Sequence, residues 1–340
     1  MKLTDLTTSG GCAAKYPAAR LEQLLQAFVP PEAENLLVGL SPADDAAVYR
    51  LDDERREEVD REHERALVDD PADFGAIAAT NALNDVFAMG GRPLLALSVA
   101  AFPEDLPLES VGAILDAAGA QVRAAGALLA GGHTLRNEEP LYGLAVVGTV
   151  APDALWPKSG ARPGDALLLT KPLGTGLVLH GARRGLAGED ELREAARWMR
   201  TLNAEAAEAL RPFEPSAVTD VTGFGLFGHA HEMAERSGVR LRLDAGALPA
   251  LPGALEVAGA GERTGGDRRN REFAAHAVAL DGAPEDVVAL GFDPQTAGGL
   301  LVALPASRVA VLAAAFRERG LFVARIGSVE EGAGVAVDVG

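Results

Sequence analysis

The chain has 340 residues, 48% of them hydrophobic, and a formal net charge of −18. That balance excludes a nucleic-acid partner, which needs a basic face, and weighs against an anionic membrane surface, while a nucleotide held through magnesium stays compatible with it. The length calls for two domains rather than one core, and the lone cysteine, Cys12, rules out an intrachain disulfide and fits a reducing compartment.

In chain order, residues 1–17 read as a flexible glycine-containing leader. Its first five residues lack the apolar core of a secretion signal, and no later stretch reaches the roughly 18 apolar residues of a membrane span, so no membrane contact and a cytoplasmic location are expected. Residues 18–28 (AARLEQLLQAF) have helical spacing that Pro30 and Pro31 end. Residues 35–40 (NLLVGL) predict a short strand, which runs into the turn composition Ser41-Pro42-Ala43-Asp44-Asp45 and then into Ala46-Ala47-Val48-Tyr49. Residues 51–67 (LDDERREEVDREHERAL) are almost all charged, without strand alternation, and predict an exposed helix laced with i,i+4 pairs, or disorder.

A helix of small residues at 74–89, a buried strand at 92–102, an alanine-rich helix at 107–127 and a strand at 141–150 follow. The Pro- and Gly-rich stretch 151–165 marks a boundary, giving an N-terminal domain at 18–155 and a C-terminal domain at 156–340. The second domain has predicted strands at 166–170, 239–244, 300–304 and 321–326. Its helices fall at 174–184, 190–210, 224–236 and 306–319, with a polar loop at 259–272. Strands and helices do not alternate strictly, so the expected class is α/β of the α+β or layered kind, not a doubly wound parallel sheet.

Several chemistries are absent: no G-x-x-x-x-G-K-[ST] loop, no H-E-x-x-H, no G-x-S-x-G elbow and no zinc ribbon. Gly223-Phe224-Gly225-Leu226-Phe227-Gly228 fits G-x-G-x-x-G, but too short an apolar run precedes it for a dinucleotide site. What remains is a set of carboxylates at the ends of apolar segments: Asp44, Asp45, Asp220 and Asp293, with Asp85 inside an apolar helix. Such hard oxygen ligands suit magnesium. Gly131-Gly132-His133-Thr134 offers backbone N–H groups and a hydroxyl to a phosphate. Each also has a plain reading: Asp44, Asp220 and Asp293 as turn formers or helix caps, Asp85 as an arginine partner, His133 as a neighbour of a site. Asp293 is expected to be structural, and His229 and His231, two apart on a helix, are not expected to share a metal. Cys12 sits three residues before Lys15, whose ammonium favours the reactive thiolate.

In combination these segments resemble the selenophosphate synthetase family (selenide, water dikinase), within the aminoimidazole-ribonucleotide-synthetase-like ATP-binding enzymes. The resemblance rests on Gly11-Cys12-x-x-Lys15, the Asp44-Asp45-Ala46-Ala47-Val48-Tyr49 run, and Asp73-Phe74-Gly75 continuing through Thr80-Asn81-Ala82 and Asp85 to Gly90-Gly91. It continues in Gly131-Gly132-His133-Thr134, Thr219-Asp220-Val221-Thr222-Gly223, Gly265-Gly266-x-x-Arg269-Asn270 and Asp293-Pro294-Gln295-Thr296-x-Gly298-Gly299. It implies an N-terminal α/β domain forming a homodimeric β-barrel, a C-terminal α/β sandwich domain, and ATP held between them. The implied reaction makes selenophosphate, AMP and phosphate from ATP, selenide and water. By position, Cys12 matches the reactive residue and Lys15 the phosphate-reaching lysine. Asp45, Asp85 and Asp220 match magnesium ligands, and Pro42, Ala43, Asp44, Asp85, Gly132, His133 and Thr134 match nucleotide contacts.

Two departures stand out. Ala14 replaces a second cysteine common in the family, and the charged stretch 51–67 stands where the family has an apolar strand bearing another aspartate, whose place falls on Glu62. That loss predicts a weakened barrel and impaired turnover. Two other readings therefore stay open: a related kinase or synthetase acting on another small substrate, and a non-catalytic nucleotide-binding paralogue.

Overall fold

The computed structural model describes residues 2–7, 35–38, 45–50 and 56–339, with the side chains of 56–65 excepted. The helix expected at 18–28, together with Cys12, Lys15, Pro42, Ala43 and Asp44, lies outside the described residues. The chain divides into two compact units. One takes the chain as far as Leu155 and adds Met199–Ala204; the other holds Trp156–Trp198 and the chain from Glu205 onward.

The first unit contains β1 (Leu36–Val38), β2 (Ala47–Arg50), β3 (Arg56–Arg65), α1 (Pro71–Ala88), β4 (Arg92–Phe102), α2 (Leu108–Ala124), β5 (Leu128–Arg136) and β6 (Leu141–Val150). Its sheet runs β1-β2-β3-β6-β4-β5. All pairs are antiparallel except β4 with β5, and α2 supplies the crossover that a parallel pair needs. The sheet is open. Within the stretch expected to be a flexible leader, Leu3–Leu6 forms a 3-10 turn with Leu3 buried, and Thr4 Oγ1 donates to Asp69 Oδ1 at 2.6 Å.

The charged stretch is the main correction. Residues 56–65 form neither an exposed helix nor a disordered loop but an interior strand, β3, paired to β2 on one side and, from Arg56 to Arg65, to β6 on the other. Sheet pairing overrides intrinsic preference when both neighbours are in place, and β6 is an apolar, β-branched partner. The strand position expected to be lost is therefore filled.

Helix α1 is buried at every residue from Phe74 to Ala88. Asp70 caps its start by accepting the Asp73 N–H at 2.9 Å, and Pro71 occupies the first turn, where no N–H is needed. A Cβ on Gly75 would stand 2.1 Å from the Ile114 carbonyl, so glycine permits the close approach of α1 to α2. Full burial leaves Thr80 and Asn84, one turn apart on the helix, in need of partners. The Met199–Ala204 segment supplies them: Thr80 Oγ1 donates to Arg200 O at 3.3 Å, and Asn203 N donates to Asn84 Oδ1 at 2.8 Å.

The second unit contains β7 (Asp165–Leu169), α3 (Thr175–Arg183), α4 (Glu189–Met199), α5 (Ala204–Leu210), β8 (Ala217–Asp220), α6 (Gly225–Ser237), β9 (Arg240–Asp244), α7 (Ala254–Gly259), α8 (Gly265–Ala274), β10 (Val278–Asp281), α9 (Glu285–Phe292), β11 (Leu300–Pro305), α10 (Val309–Glu318), β12 (Ala324–Glu330) and β13 (Gly334–Asp338). The sheet order is β10-β13-β9-β12-β7-β11-β8, mostly antiparallel, with β13 parallel to β10 and β9. Strands β7 and β8 are buried along their whole length, Asp165, Thr219 and Asp220 included. The predicted single helix at 190–210 is two helices, split where the chain returns to the first unit. The predicted polar loop at 259–272 is mostly α8; Thr264 Oγ1 accepts the Asp267 N–H at 3.2 Å as its cap. β8 pairs antiparallel with β11 at the sheet edge, so the G-x-G-x-x-G match does not sit in a parallel βαβ unit.

Candidate active site

In the first unit, Asp45 lies half-buried just before β2, and Asp85 is 8% exposed near the end of α1, one turn beyond Asn81. The long apolar helix carries Asp85 into the interior, and Gly90-Gly91 end it directly afterwards. Gly132, His133 and Thr134 lie on β5, all exposed, opposite Ser98, Val99 and Ala100 of β4.

In the second unit, Asp220 ends β8 at 2% exposure. Its neighbour is a residue that sequence reasoning did not single out. Lys171 follows β7, is buried, and donates from Nζ to the Ala297 carbonyl at 2.6 Å. Burial pushes its ammonium down to about 7, with the Asp220 carboxylate pulling the other way. The signal was present in the sequence: a lysine directly after an apolar strand is an expensive placement unless something charged meets it.

The loop 293–299 packs against the Asp220 turn. Val221 N donates to Gly299 O at 2.9 Å, and Gln295 N donates to Thr222 O at 2.9 Å. A Cβ on Gly298 would stand 1.9 Å from Val221 O, so only glycine fits there. Asp293 is wholly buried and serves the start of α3: its Oδ2 accepts the Leu177 N–H at 3.0 Å, while Gln295 Oε1 accepts from Gly174 N at 2.9 Å and Thr175 N at 3.2 Å. These bonds satisfy the orphan donors of a helix N-terminus from a distant loop. Burial pushes the Asp293 carboxyl up to about 8 against the hydrogen bonds from Leu177, Gln295 and Thr264. Asn270 Nδ2 ties the two loops by donating to Gly223 O at 2.9 Å and Phe292 O at 2.8 Å.

Among the described residues, no group of three or more His, Cys, Asp or Glu side chains is arranged to hold a metal ion. The carboxylates present are hard oxygen donors in ones, not a closed cage. That suits magnesium, which takes one or two carboxylates and completes its shell with phosphate oxygens and water. No helix among the described residues is long and apolar enough to cross a membrane.

Residues 43–150 match the family model for AIR synthase related protein, N-terminal domain, and 162–340 match the C-terminal domain of the same family. The chain is 42% identical to selenide, water dikinase 2 of Peptoclostridium acidaminophilum, over 96% of this chain and 94% of that protein. It is 43% identical to selenide, water dikinase of Geobacter metallireducens, over 97% and 96%. Among solved structures, tt0281 from Thermus thermophilus matches with a TM-score of 0.71 at 26% identity, covering 94% of this chain and 95% of that one. AaThiL complexed with AMPPCP and TMP matches with a TM-score of 0.69 over 99% and 95%; at 21% identity this likeness speaks to the fold alone. With both domain models matched and full-length relatives above 40% identity, the chain belongs to the AIR synthase related family and, within it, to the selenide, water dikinases.

Proposed function

We propose that the chain makes selenophosphate from ATP, selenide and water, releasing AMP and phosphate. The observation that carries this reading is identity of about two residues in five to proteins named selenide, water dikinase across nearly the whole length, as in the 42% match over 96% of the chain. The buried carboxylates and the filled β3 position support it. Because β3 forms and pairs on both sides, the charged stretch 51–67 gives no structural ground for preferring a non-catalytic paralogue.

Phosphoryl transfer asks a protein for positioning and charge neutralisation rather than covalent chemistry. Asp45, Asp85 and Asp220 are the residues that would hold magnesium, with Glu62, opposite Leu144 in the β3–β6 register, standing where the family has a further aspartate. Magnesium, when bound, gathers the triphosphate oxygens and takes up the charge that develops on transfer. Pro42, Ala43, Asp44, Gly132, His133 and Thr134 contact the nucleotide, Lys15 brings a positive charge to the phosphates, and the Cys12 thiolate serves the selenium end of the reaction. The protein works as a homodimer in the cytoplasm. β5 has β4 as its neighbour and an open outer edge among the described residues, and the two strands leave Leu94, Leu97, Leu128 and Leu135 exposed. A second copy pairing there would cover them and extend the open sheet toward a barrel.

The test is anaerobic phosphorus NMR of the full chain with Mg-ATP, with and without selenide, beside Cys12→Ser and Asp85→Asn. Selenophosphate and AMP should appear together, only with selenide, and should be lost in both variants. ATP bound but left intact by the wild-type protein would overturn the reading.

A further inference from the structure

The turn after Asp220 is gripped from several sides, and one grip differs in kind from the rest. Thr222 O accepts from Gly225 N and Gln295 N, and Gly223 O accepts from Asn270, all ordinary amide contacts. The Thr222 N–H instead donates to the imidazole Nε2 of His229, at 3.0 Å. The Thr222 hydroxyl stands 3.3 Å from the same nitrogen.

A ring nitrogen that accepts a backbone proton carries none of its own, so the proton of the neutral ring sits on Nδ1. Nδ1 faces Glu232 Oε2 at 3.4 Å, long for a hydrogen bond but within reach of the charge. The same oxygen lies 3.5 Å from Lys158 Nζ, and Oε1 lies 3.7 Å from Arg236 Nη2. Burial works to raise the Glu232 carboxyl, but Lys158, His229 and Arg236 together hold it well below the usual carboxylate range. Glu232 is thus an anion that selects the Nδ1–H tautomer. His229 is itself buried, and the Phe224 ring lies against it with centroids 5.5 Å apart, which fixes the ring plane.

We propose that His229 is a positioning residue for the phosphoryl-transfer site: with Nδ1 turned to Glu232, its Nε2 accepts the Thr222 N–H, and this anchor sets where the Asp220 carboxylate points. The inference rests on the reading of Asp220 as a magnesium ligand. A carboxylate that shares a small, strongly hydrated ion with phosphate oxygens must be held within a fraction of an ångström. A two-residue turn achieves that only if its own backbone is pinned. The general pattern is a carboxylate orienting an imidazole, here used to hold a main-chain donor rather than a metal.

The test compares the full-length wild-type protein with His229→Gln, His229→Asn, Glu232→Gln and Asp220→Asn. The side-chain oxygen of Gln reaches the place of Nε2 and still accepts from Thr222; that of Asn reaches only the place of Nδ1. Nitrogen-15 NMR of the wild-type protein without nucleotide should show His229 protonated on Nδ1 and bare on Nε2. Calorimetric titration of Mg2+ into protein saturated with ADP should show weakening of roughly tenfold or more for His229→Asn, about the scale seen when an outer partner of a metal site is lost. His229→Gln should stay within about threefold of wild type, and Glu232→Gln, which keeps an acceptor but loses the charge, should fall between them. Equal Mg2+ affinity in Asn and Gln variants, or a ring proton on Nε2, overturns the proposal. If His229→Asn does not fold, the Gln and Glu232→Gln titrations decide it, and unchanged affinity in Glu232→Gln overturns it. Asp220→Asn separates the two claims: if its Mg2+ affinity is unchanged, the reading of Asp220 is what has failed.

Discussion

Replacing Asp293 by Asn tests how a buried acid is used in the second unit. The carboxyl is pushed by burial from an ordinary 3.8 to about 8, so the folded protein holds a proton that the unfolded chain releases near pH 4. A folded-state value above the unfolded one gives stability that is complete below about pH 4 and is lost as pH rises to about 8. Each tenfold gain in proton affinity is worth about 1.4 kcal/mol, so the full window is worth roughly 6 kcal/mol, and roughly 4 kcal/mol of it lies between pH 5 and pH 8. Asn is nearly isosteric with the protonated acid, keeps an acceptor for the Leu177 N–H, and presents an amide donor to Thr264 Oγ1. It does not titrate. Both tryptophans, Trp156 and Trp198, belong to the second unit, so their fluorescence during urea unfolding reports on that unit. The wild-type protein should lose stability relative to Asp293→Asn by several kcal/mol between pH 5 and 8.5, levelling off above pH 8. The lowered Lys171 value acts in the opposite sense but is present in both proteins and cancels from the difference. A gap that does not change with pH would mean that the carboxyl is ionised throughout and the reasoning is wrong. A gap of the opposite sign would mean an ionised cap stabilised by the N-terminus of α3.

Two further outcomes follow from single contacts. Gly298→Ala places a methyl 1.9 Å from Val221 O, which forces the loop off the Asp220 turn; AMP formation from ATP and selenide should be abolished and the melting temperature lowered. Leu128→Glu puts a charge on the open edge strand, where the side chain is 67% exposed in the single chain; light scattering should show a monomer whose melting temperature no longer depends on protein concentration, and a stable dimer would move the interface elsewhere.

The sequence made the carboxylates legible and the architecture around them only in part. Asp293 reads as structural because it opens a turn between apolar segments, and it does cap a helix, but the helix is α3, more than a hundred residues upstream, a pairing that no local pattern encodes. The helix α1 is legible because small and apolar residues run along it and it ends on two glycines. Its buried Thr80 and Asn84 make sense only once Met199–Ala204 lies against them, and the single helix predicted at 190–210 hides that return. β3 is illegible for the reverse reason: nothing in REEVDREHER favours a strand, and the pairing comes from β2 and β6. The stretch 259–272 looks like a loop because its two adjacent glycines and its arginines mask a Thr264 cap. His229 and His231 read as a poor metal pair, while the use of His229 lies in the backbone donor seven residues earlier.

The Lys158–Glu232 pair of the second unit raises the question of why ions are buried there at all. Lys158 and Glu232 have side chains 5% and 16% exposed, and such a pair is weak evidence for stability, because desolvation consumes most of the Coulomb gain. Replacing both by apolar residues, Lys158→Met with Glu232→Leu, is expected to gain about 1–4 kcal/mol by the precedent of buried pairs exchanged for packed side chains. The same change removes the carboxylate that faces the buried His229 Nδ1 at 3.4 Å and the partner of Arg236, which offsets part of that gain. Urea unfolding should therefore find the double variant no less stable than wild type. If the pair were there for stability, that variant would be clearly destabilised. If it is there to fix the tautomer, the fold survives while Mg2+ binding with ADP weakens, since nothing then keeps the ring proton off the nitrogen that Thr222 needs. A double variant with both stability and Mg2+ affinity intact would leave Glu232 with neither task, and the path from Lys158 through His229 to Asp220 would have to be abandoned.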